Sequence, residues 1–549
     1  MIHAISWCLP GRLVVAILLG LALSFGAADR ARADGVEQQL ELRFDDALKS
    51  RPKGLDGDEF EALREFYLAR GFKPLWIGSD GANASARSLA KILVEADADG
   101  LFPTDYNAQI IAKGLAADGA AAEADLEFSL SRALIRYGSD LSAGRVDPAR
   151  VDKELHIYPS AVPAAELLAA AADPGADLVQ YLATLAPQSK EYRRLKGALA
   201  DYRAIAARGG WEAVPPGETL KPGMRDRRIA LLRRRLKASG DIAVEAAEPE
   251  HYDKALEAAV RHFQYRHGLT VDGAVGKKSL AALNVPVTAR IEQILLNMER
   301  RRWMPDDLGE AYVFVNMADF VLKVVKGPKT VLDTRVVVGK PYHRTPVFSD
   351  KMRYIVLNPY WTIPPSIARN EMLPKLRKNP NYLKERNIRV FADWNASARE
   401  LGSTAIDWHS VKRRSFPYKL RQDAGKGNAL GNLKFMFPNR FNVYLHDTSA
   451  RQLFKKTVRS FSHGCIRVEN PTYLATVLLS DQEDWSKERL EQVIAGKKRR
   501  VVNFEKPIPV HLTYLTAWVN KDGSVHFRAD IYERDKRLQK ALDRLQRST

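Results

Sequence analysis

The sequence predicts an α+β protein assembled from successive parts, helical first and mainly β later. Up to residue 245, apolar positions recur at helical spacing in Ala- and Leu-rich segments such as DEFEALREFYLARGF and LEFSLSRALIRYGSDLSAG. Leu63, Phe66 and Tyr67 fall near one stripe there, with Phe72 past a turn. From residue 311 the period becomes that of strands: YVFVNMADFVLKVV, TVLDTRVVVG, RYIVLNPYWTI, RFNVYLHDT and CIRV are β-branched and aromatic runs separated by Gly, Pro, Asn and Asp. These strands are interrupted over 366–424 by IARNEMLPKLRKNPNYLKERNI, helical and basic, which predicts an insertion forming a lid over a site or a loop packed at its edge.

Taken in order, residues 1–33 have the form of a secretory signal peptide: a free amine and Arg12, the apolar run LVVAILLGLALSFGA, and Ala31-Arg32-Ala33 before Asp34. The run is about fifteen residues, short of the roughly 20 that a bilayer span needs. The expectation is therefore cleavage and export to the periplasm; an uncleaved segment would leave the same body tethered to the membrane. Residues 34–245 read as one helical domain, with Gly71 and Gly144 placed as helix stops and AVPPGETLKPGM (213–224) as a loop. The basic runs RDRRIALLRRRLK (225–237) and KKRR (497–500) read as solvated faces. Residues 246–290 form a compact unit in which Leu256, Val260 and Phe263 make one stripe, Gly268 ends the helix, Asp272-Gly273 turns the chain, and KKSLAALN supplies a second short helix. His262 and His267 have no further ligand in view and read as solvated or packing histidines. The β domain spans 305–510 and carries the insertion 366–424. Residues 511–549 read as a hairpin around Lys521-Asp522-Gly523 and a final helix completing that domain.

Composition narrows the function. With 46% hydrophobic and 9% aromatic residues the chain is globular, and a formal net charge of +19 favours an anionic partner. Export argues against nucleic acid and leaves an anionic envelope polymer or a membrane surface. Of the two cysteines, Cys8 would leave with the signal peptide, so Cys465 stands alone and cannot form an internal disulfide. An unpaired thiol is a liability in an oxidising compartment, which points to use rather than packing.

Strand alternation organises the surroundings of that thiol. In NVYLHDT it sends Val443 and Leu445 to the core and Tyr444 and His446 to the other face; in CIRV it sends Ile466 and Val468 inward and Cys465 and Arg467 outward. Gly464 permits a turn into the second strand, and Asn470-Pro471 read as a helix N-cap and first helical residue. A thiol with a pKa of about 8.5 needs a base or a cationic neighbour near neutrality. His446 is the candidate base and His463 a supporting group. A backbone carbonyl near Asp447 is the candidate for orienting His446. The N–H groups of Gly464 and Cys465 are candidate oxyanion donors, with the Tyr444 hydroxyl as an addition.

SHGCIRV, preceded by YLHDT, resembles the catalytic signature of the L,D-transpeptidases, the YkuD-type cysteine enzymes of bacterial cell walls; Ser462, His463, Gly464, Cys465 and Arg467 occupy its motif places. LREFYLARGFKPLW, RRRWMP, VVVGKPYHRTPVFS, NPYWTIPPSI and GNALGNLKFMFPN resemble stretches of the large periplasmic, YcbB-like members. HGLTVDGAVG followed by SLAALN resembles the small three-helix peptidoglycan-binding module. The resemblance implies a helical scaffold, that module, and a mainly β cysteine transpeptidase domain. It implies that Cys465 attacks the carbonyl between the third, diamino residue of a tetrapeptide stem and its terminal D-alanine, and expels the D-alanine. The resulting thioester is resolved by the side-chain amine of a second stem, giving a 3→3 cross-link without metal or organic cofactor. It further implies acylation of the thiol by carbapenems and substrate contacts from Arg467, Ser462, Trp361 and Tyr360. Peptidoglycan stems and glycan would be the partners, with no nucleic acid, membrane contact only through the signal peptide, and an outer-membrane protein as a candidate acceptor. The competing readings are an L,D-carboxypeptidase or endopeptidase that uses water as acceptor, and a non-catalytic wall-binding scaffold.

Overall fold

The computed structural model describes residues 34–50 and 55–548; the expected signal peptide at 1–33 lies outside the described residues. The N-terminal region is helical, as its periodicity predicts, and is built around α1 (Ala120–Ala143). Glu127 on α1 is fully buried and accepts from the Tyr67 hydroxyl at 2.5 Å and the Trp76 N–H at 2.8 Å, tying the loop after the first stripe to this axis. Leu63 and Tyr67 are buried, whereas Phe66 and Phe72 are only half-buried. Helix α2 (Lys190–Ala207) ends the region.

The compact unit is larger than the sequence stripe suggests. Its three helices are α3 (Arg228–Ala238), α4 (Lys254–Arg266) and α5 (Lys277–Leu283), and they share one core in which Ile229, Leu232 and Leu236 meet Leu256, Val260 and Phe263. The boundary expected at 246 is therefore corrected to a point before α3, and the run at 225–237 is no solvated face. Arg235 is buried: its guanidinium stacks on Trp211 at 3.7 Å, and its Nε donates to the Leu283 carbonyl at 2.7 Å. The apolar stripe of α3 is masked in sequence by the arginines between its members, whose aliphatic stems pack as well as solvate. His267 is a packing histidine stacked on Phe263 at 3.8 Å, and His262 Nδ1 lies 2.9 Å from Asp241.

Helix α6 (Val287–Arg302) leads into the β domain and packs against α2. The strands are β1 (Ala311–Asn316), β2 (Val321–Lys326), β3 (Lys329–Gly339), β4 (Phe348–Leu357), β5 (Leu433–Met436), β6 (Leu445–His446), β7 (Ser460–Ser462), β8 (Ile466–Val468) and β9 (Arg500–Thr513). Their spatial order is β7-β3-β8-β6-β5-β4-β9-β1-β2, and β2 pairs back onto β3, so the sheet closes into a barrel with β7 attached beside β3. Closure leaves no long free edge. The β6–β8, β9–β1 and β7–β3 pairs are parallel and the rest antiparallel. Helix α7 (Pro471–Leu478) follows β8 with Pro471 in its first turn; Asn470 stands at its N-cap, but its side chain turns to Thr334 instead of capping.

Two expectations need correction. The hairpin Ala517–Val519/Val525–Phe527 does not complete the β domain: Ala517, Val519 and Phe527 share a core with Tyr202 of α2 and with Ile294 and Met298 of α6. After the hairpin the chain returns to the barrel through Tyr532, whose hydroxyl donates to the Gly339 carbonyl at 2.6 Å, and through Leu538 and Leu542 of the last helix, α8 (Arg534–Ser548). The insertion is not merely helical. Its helical turns pack on a sheet of strands Trp361–Thr362, Lys419–Gln422, Ile388–Phe391 and Glu400–Leu401, around Leu376, Val390, Trp408 and Leu420. The β-branched residues of that sheet lie in strands too short to stand out from a basic sequence.

A fragment beginning at residue 246 lacks the α3 half of the module core and is expected to be unfolded by far-UV circular dichroism, whereas a 210–286 fragment is expected to be helical and to melt cooperatively.

Candidate active site

The site is built where β6 and β8 lie side by side. Leu445 pairs with Ile466 and His446 with Arg467, and Leu445, Ile466 and Val468 are all fully buried in the barrel core. The other face therefore carries Tyr444 and His446 from one chain segment and Cys465 and Arg467 from the other. The Ile466 N–H donates to the Tyr444 carbonyl at 3.1 Å, which sets Tyr444 beside Cys465 and His446 one step further along, beside Arg467. On the far side of β6, Lys434 of β5 pairs with His446, and its ammonium sits over the Tyr444 ring at 3.8 Å from the centroid.

Cys465 is a free, half-buried cysteine. Its Sγ lies 3.6 Å from the Asn442 carbonyl, with the Tyr444 backbone N–H and hydroxyl as donors to the sulfur. Burial pushes the thiol above its ordinary pKa; the Tyr444 hydrogen bonds, then the Lys434 ammonium and the Arg467 guanidinium, pull the other way. Burial also raises the Tyr444 phenol, so it stays a neutral donor. His446 is buried, and its Nδ1 is 2.5 Å from the Asp447 carbonyl. That contact fixes Nδ1 as the protonated nitrogen and leaves the lone pair on Nε2. Burial, and next the Arg467 charge, push His446 down to about 3. Both shifts favour a neutral thiol beside a neutral imidazole over a thiolate–imidazolium pair.

The Asp447 carbonyl is held by its own side chain. Oδ2 accepts from Asn432 N at 2.8 Å, and Oδ1 accepts from Thr448 N at 2.6 Å and Arg451 Nη2 at 2.5 Å. Gly431 makes room for this: a Cβ there would stand 2.2 Å from the Asp447 carboxylate, and its φ is +59. On the other side, Asn439 Oδ1 accepts from Phe441 N and Val443 N, bracing the turn in which Asn442 adopts φ 54.

The loop before Cys465 departs from expectation in two respects. The Gly464 N–H donates to Ser462 Oγ at 3.1 Å, so in this conformation it is engaged and unavailable as an oxyanion donor. Ser462 is buried, and its hydroxyl donates to the Cys465 carbonyl at 2.5 Å; it staples the turn and does not face substrate. Gly464, at φ +115, supplies the backbone that the turn requires, and Thr345 Oγ1 donates to its carbonyl at 2.8 Å. His463 points to the insertion: its Nε2 is 2.5 Å from Glu371 Oε1, and its ring lies 4.9 Å from that of His343. Trp361 packs on the insertion core, and Tyr360 is exposed at the insertion's root with Arg421 over its ring at 4.6 Å. Sequence reasoning missed Lys434, Asn439, Gly431 and Glu371. Alternation along LKFM could have placed Lys434 on the outer face; nothing local marks Glu371.

Arg467 completes the electrostatics. Its Nε is buried and has no hydrogen-bond partner among the described residues, so a cation is presented to the site with an unspent donor. The face thus gathers a sulfur nucleophile, a neutral imidazole on the neighbouring strand, and Tyr444, Lys434 and Arg467 as groups that favour negative charge.

Residues 310–494 match the family model for the L,D-transpeptidase catalytic domain, residues 225–283 that of a "Putative peptidoglycan binding domain", and residues 61–199 that of a scaffold domain. A curated Haemophilus influenzae protein named "Putative L,D-transpeptidase" is 35% identical over 310 residues, covering 55% of this chain and 62% of that relative. The chain thus spans less than two thirds of the relative's length. Among solved structures, an L,D-transpeptidase of Xylanimonas cellulosilytica aligns at 16% identity over 55% of this chain and 99% of its own, with a TM-score of 0.18. One of Stackebrandtia nassauensis aligns at 13% identity over 55% and 96%, with a TM-score of 0.21.

Two outcomes follow from this geometry. Gly431→Ala is expected to displace the Asp447 carboxylate and cost about 2 kcal/mol or more of stability, seen as a lowered thermal midpoint. The rate of iodoacetamide alkylation of Cys465 is expected to rise with pH through a midpoint above that of free cysteine, with no step near pH 6.5; Lys434→Gln and Arg467→Gln should each move the midpoint higher, because each removes a charge that favours the thiolate.

Proposed function

Because the chain carries an L,D-transpeptidase catalytic domain joined to a peptidoglycan-binding domain, we propose that it cross-links peptidoglycan stems in the periplasm through a Cys465 thioester. The observation that carries this reading is the neighbourhood of the Cys465 thiol. Cys465 and His446 project from paired strands onto one face, the imidazole clamped as its Nδ1–H tautomer by Asp447, with Lys434 and Arg467 alongside.

In the first half-reaction Cys465 Sγ attacks the carbonyl joining the third stem residue to D-alanine. Its proton passes to His446 Nε2 as the C–S bond forms. A neutral starting pair suits such coupled transfer, since the imidazolium exists only while negative charge sits on the oxyanion. The Tyr444 hydroxyl and the Cys465 N–H supply donors to that oxygen in place of the Gly464 N–H, and Lys434 and Arg467 supply positive charge. The imidazolium then protonates the departing amine, D-alanine leaves, and the stem remains as a thioester. In the second half-reaction the side-chain amine of another stem attacks the thioester, a proton returns through His446, and the thiol is restored with a 3→3 amide formed. The Arg467 Nε and the exposed Tyr360 ring are the groups best placed to bind the stem. A carbapenem would be attacked by the same sulfur and leave a stable acyl adduct.

Incubation with a disaccharide tetrapeptide is expected to yield D-alanine and a cross-linked dimer, resolved by liquid chromatography and mass spectrometry. Cys465→Ala should yield neither, and His446→Gln should slow both about 10²–10⁴-fold. Release of tripeptide with no dimer would overturn transpeptidation in favour of hydrolysis; an unreactive wild type, with no meropenem adduct on Cys465, would overturn the enzymatic reading.

A further inference from the structure

A groove of about 1060 Å³ separates the three-helix module from the barrel, away from the thiol. One wall is the turn after α4 together with α5; the other is the segment 454–459, which runs directly into β7 and the Cys465 loop. The walls touch at Thr270 Oγ1 and Thr457 Oγ1, 3.0 Å apart.

The groove is built by buried arginines that leave its lysines free. Arg459 holds the barrel-side wall by donating to the carbonyls of Val336, Phe320 and Lys456. Arg528 holds the floor, pairing with Asp319 at 2.6 Å and donating to the Arg266 carbonyl at 2.9 Å. The turn crosses Arg528 at Gly268, where a Cβ would come within 2.5 Å of the arginine Cδ. With Asp319 taken by Arg528 and Asp535 by Arg300, two of the carboxylates of the groove are neutralised. Lys278, Lys455 and Lys456 are exposed and form no ion pair with any described residue. Arg290 adds a buried Nε with no partner among the described residues. Between these cations the lining is largely aliphatic, with Tyr265, Val271 and Val458 exposed at the rim.

We propose that this groove is a second binding site for the wall polymer, seating a glycan–peptide segment with its sugar faces on the aliphatic and aromatic lining and its stem carboxylates on Lys278, Lys455 and Lys456. The inference rests on the preceding reading that peptidoglycan is the substrate. Three observations select this occupant. Nine of the 34 lining residues, including the turn after α4, belong to the segment matched as peptidoglycan-binding. Among lining groups with no ion pair to a described residue, the lysines Lys278, Lys455, Lys456 and Lys536 outnumber the carboxylates Glu292 and Asp530. The volume reaches the upper end of that typical of small-ligand pockets, which suits a polymer segment. The peptidoglycan contact is thereby shared between the module and the barrel instead of residing on the module alone. A strand held there lies against the segment that leads into the nucleophile.

The test uses the full chain. Purified protein-free sacculi are sedimented with wild type, with Lys455→Glu/Lys456→Glu, and with Lys254→Glu, a module lysine outside the groove; the Cys465–meropenem adduct is measured for each by intact mass. The double variant is expected to bind sacculi at least about tenfold more weakly, while Lys254→Glu binds as wild type and all three form the adduct at equal rate. Unchanged binding by the double variant, or an equal loss in Lys254→Glu, overturns the groove as the site. The β-lactam arm keeps the two readings apart: absence of an adduct in every protein would count against the proposed enzyme, while a selective loss of sacculus binding would still support the groove.

Discussion

Leu445 and Ile466 meet as partners on two short parallel strands, and the burial of both fixes which face the neighbouring residues occupy. A slip by one residue would turn Cys465 and His446 into the core and expose two aliphatic side chains, at about 1.5–3 kcal/mol for each large apolar residue moved. Strands of two and three residues could not enforce this alone. They do so because the barrel closes around them, β8 being pinned by β3 on its other side and β6 by β5. Gly464 and the Asn439-braced turn then set where each strand begins.

The same register fixes the electrostatics. Lys434 and Arg467 flank the outer face because each pairs with His446 from an opposite side. Cations so placed lower the cost of a thiolate in a buried site and raise the cost of an imidazolium. Burial outweighs these cations at the thiol and acts with them at the imidazole, so both groups are held toward their neutral forms. A neutral thiol oxidises more slowly than a thiolate, so the same balance shields Cys465 from oxidation.

Much of this was legible in the sequence because it is local. Period-two alternation placed Val443, Leu445, Ile466 and Val468 in the core and their neighbours outside, and the glycine and proline punctuation around the thiol marked a rigid turn. What stayed hidden depends on pairing across the chain. Lys434 joins the site only through the β5–β6 register, and Gly431 matters only because Asp447 folds back over it. Ser462 looked like a polar group available to a ligand, yet its hydroxyl is spent on its own loop. Helix α3 escaped for a different reason: four of its eleven residues are arginines, and a charged helix whose arginines are partly buried reads from sequence as a solvated one.

The insertion shows how a cover can be attached without being locked. It leaves after β4 and returns before β5, which are paired neighbours, so its two ends emerge together, and strands Trp361–Thr362 and Lys419–Gln422 pair at that root. Because it carries its own core around Trp408 and Leu376, it can shift as a body without losing internal packing. Its polar link to the loop before Cys465 is the Glu371–His463 contact, between side chains that both retain solvent exposure. A link of that kind contributes no more than about 1 kcal/mol, at most about a fivefold bias toward the contact. The insertion is thus joined to the loop before Cys465 by a contact that is favourable and readily undone.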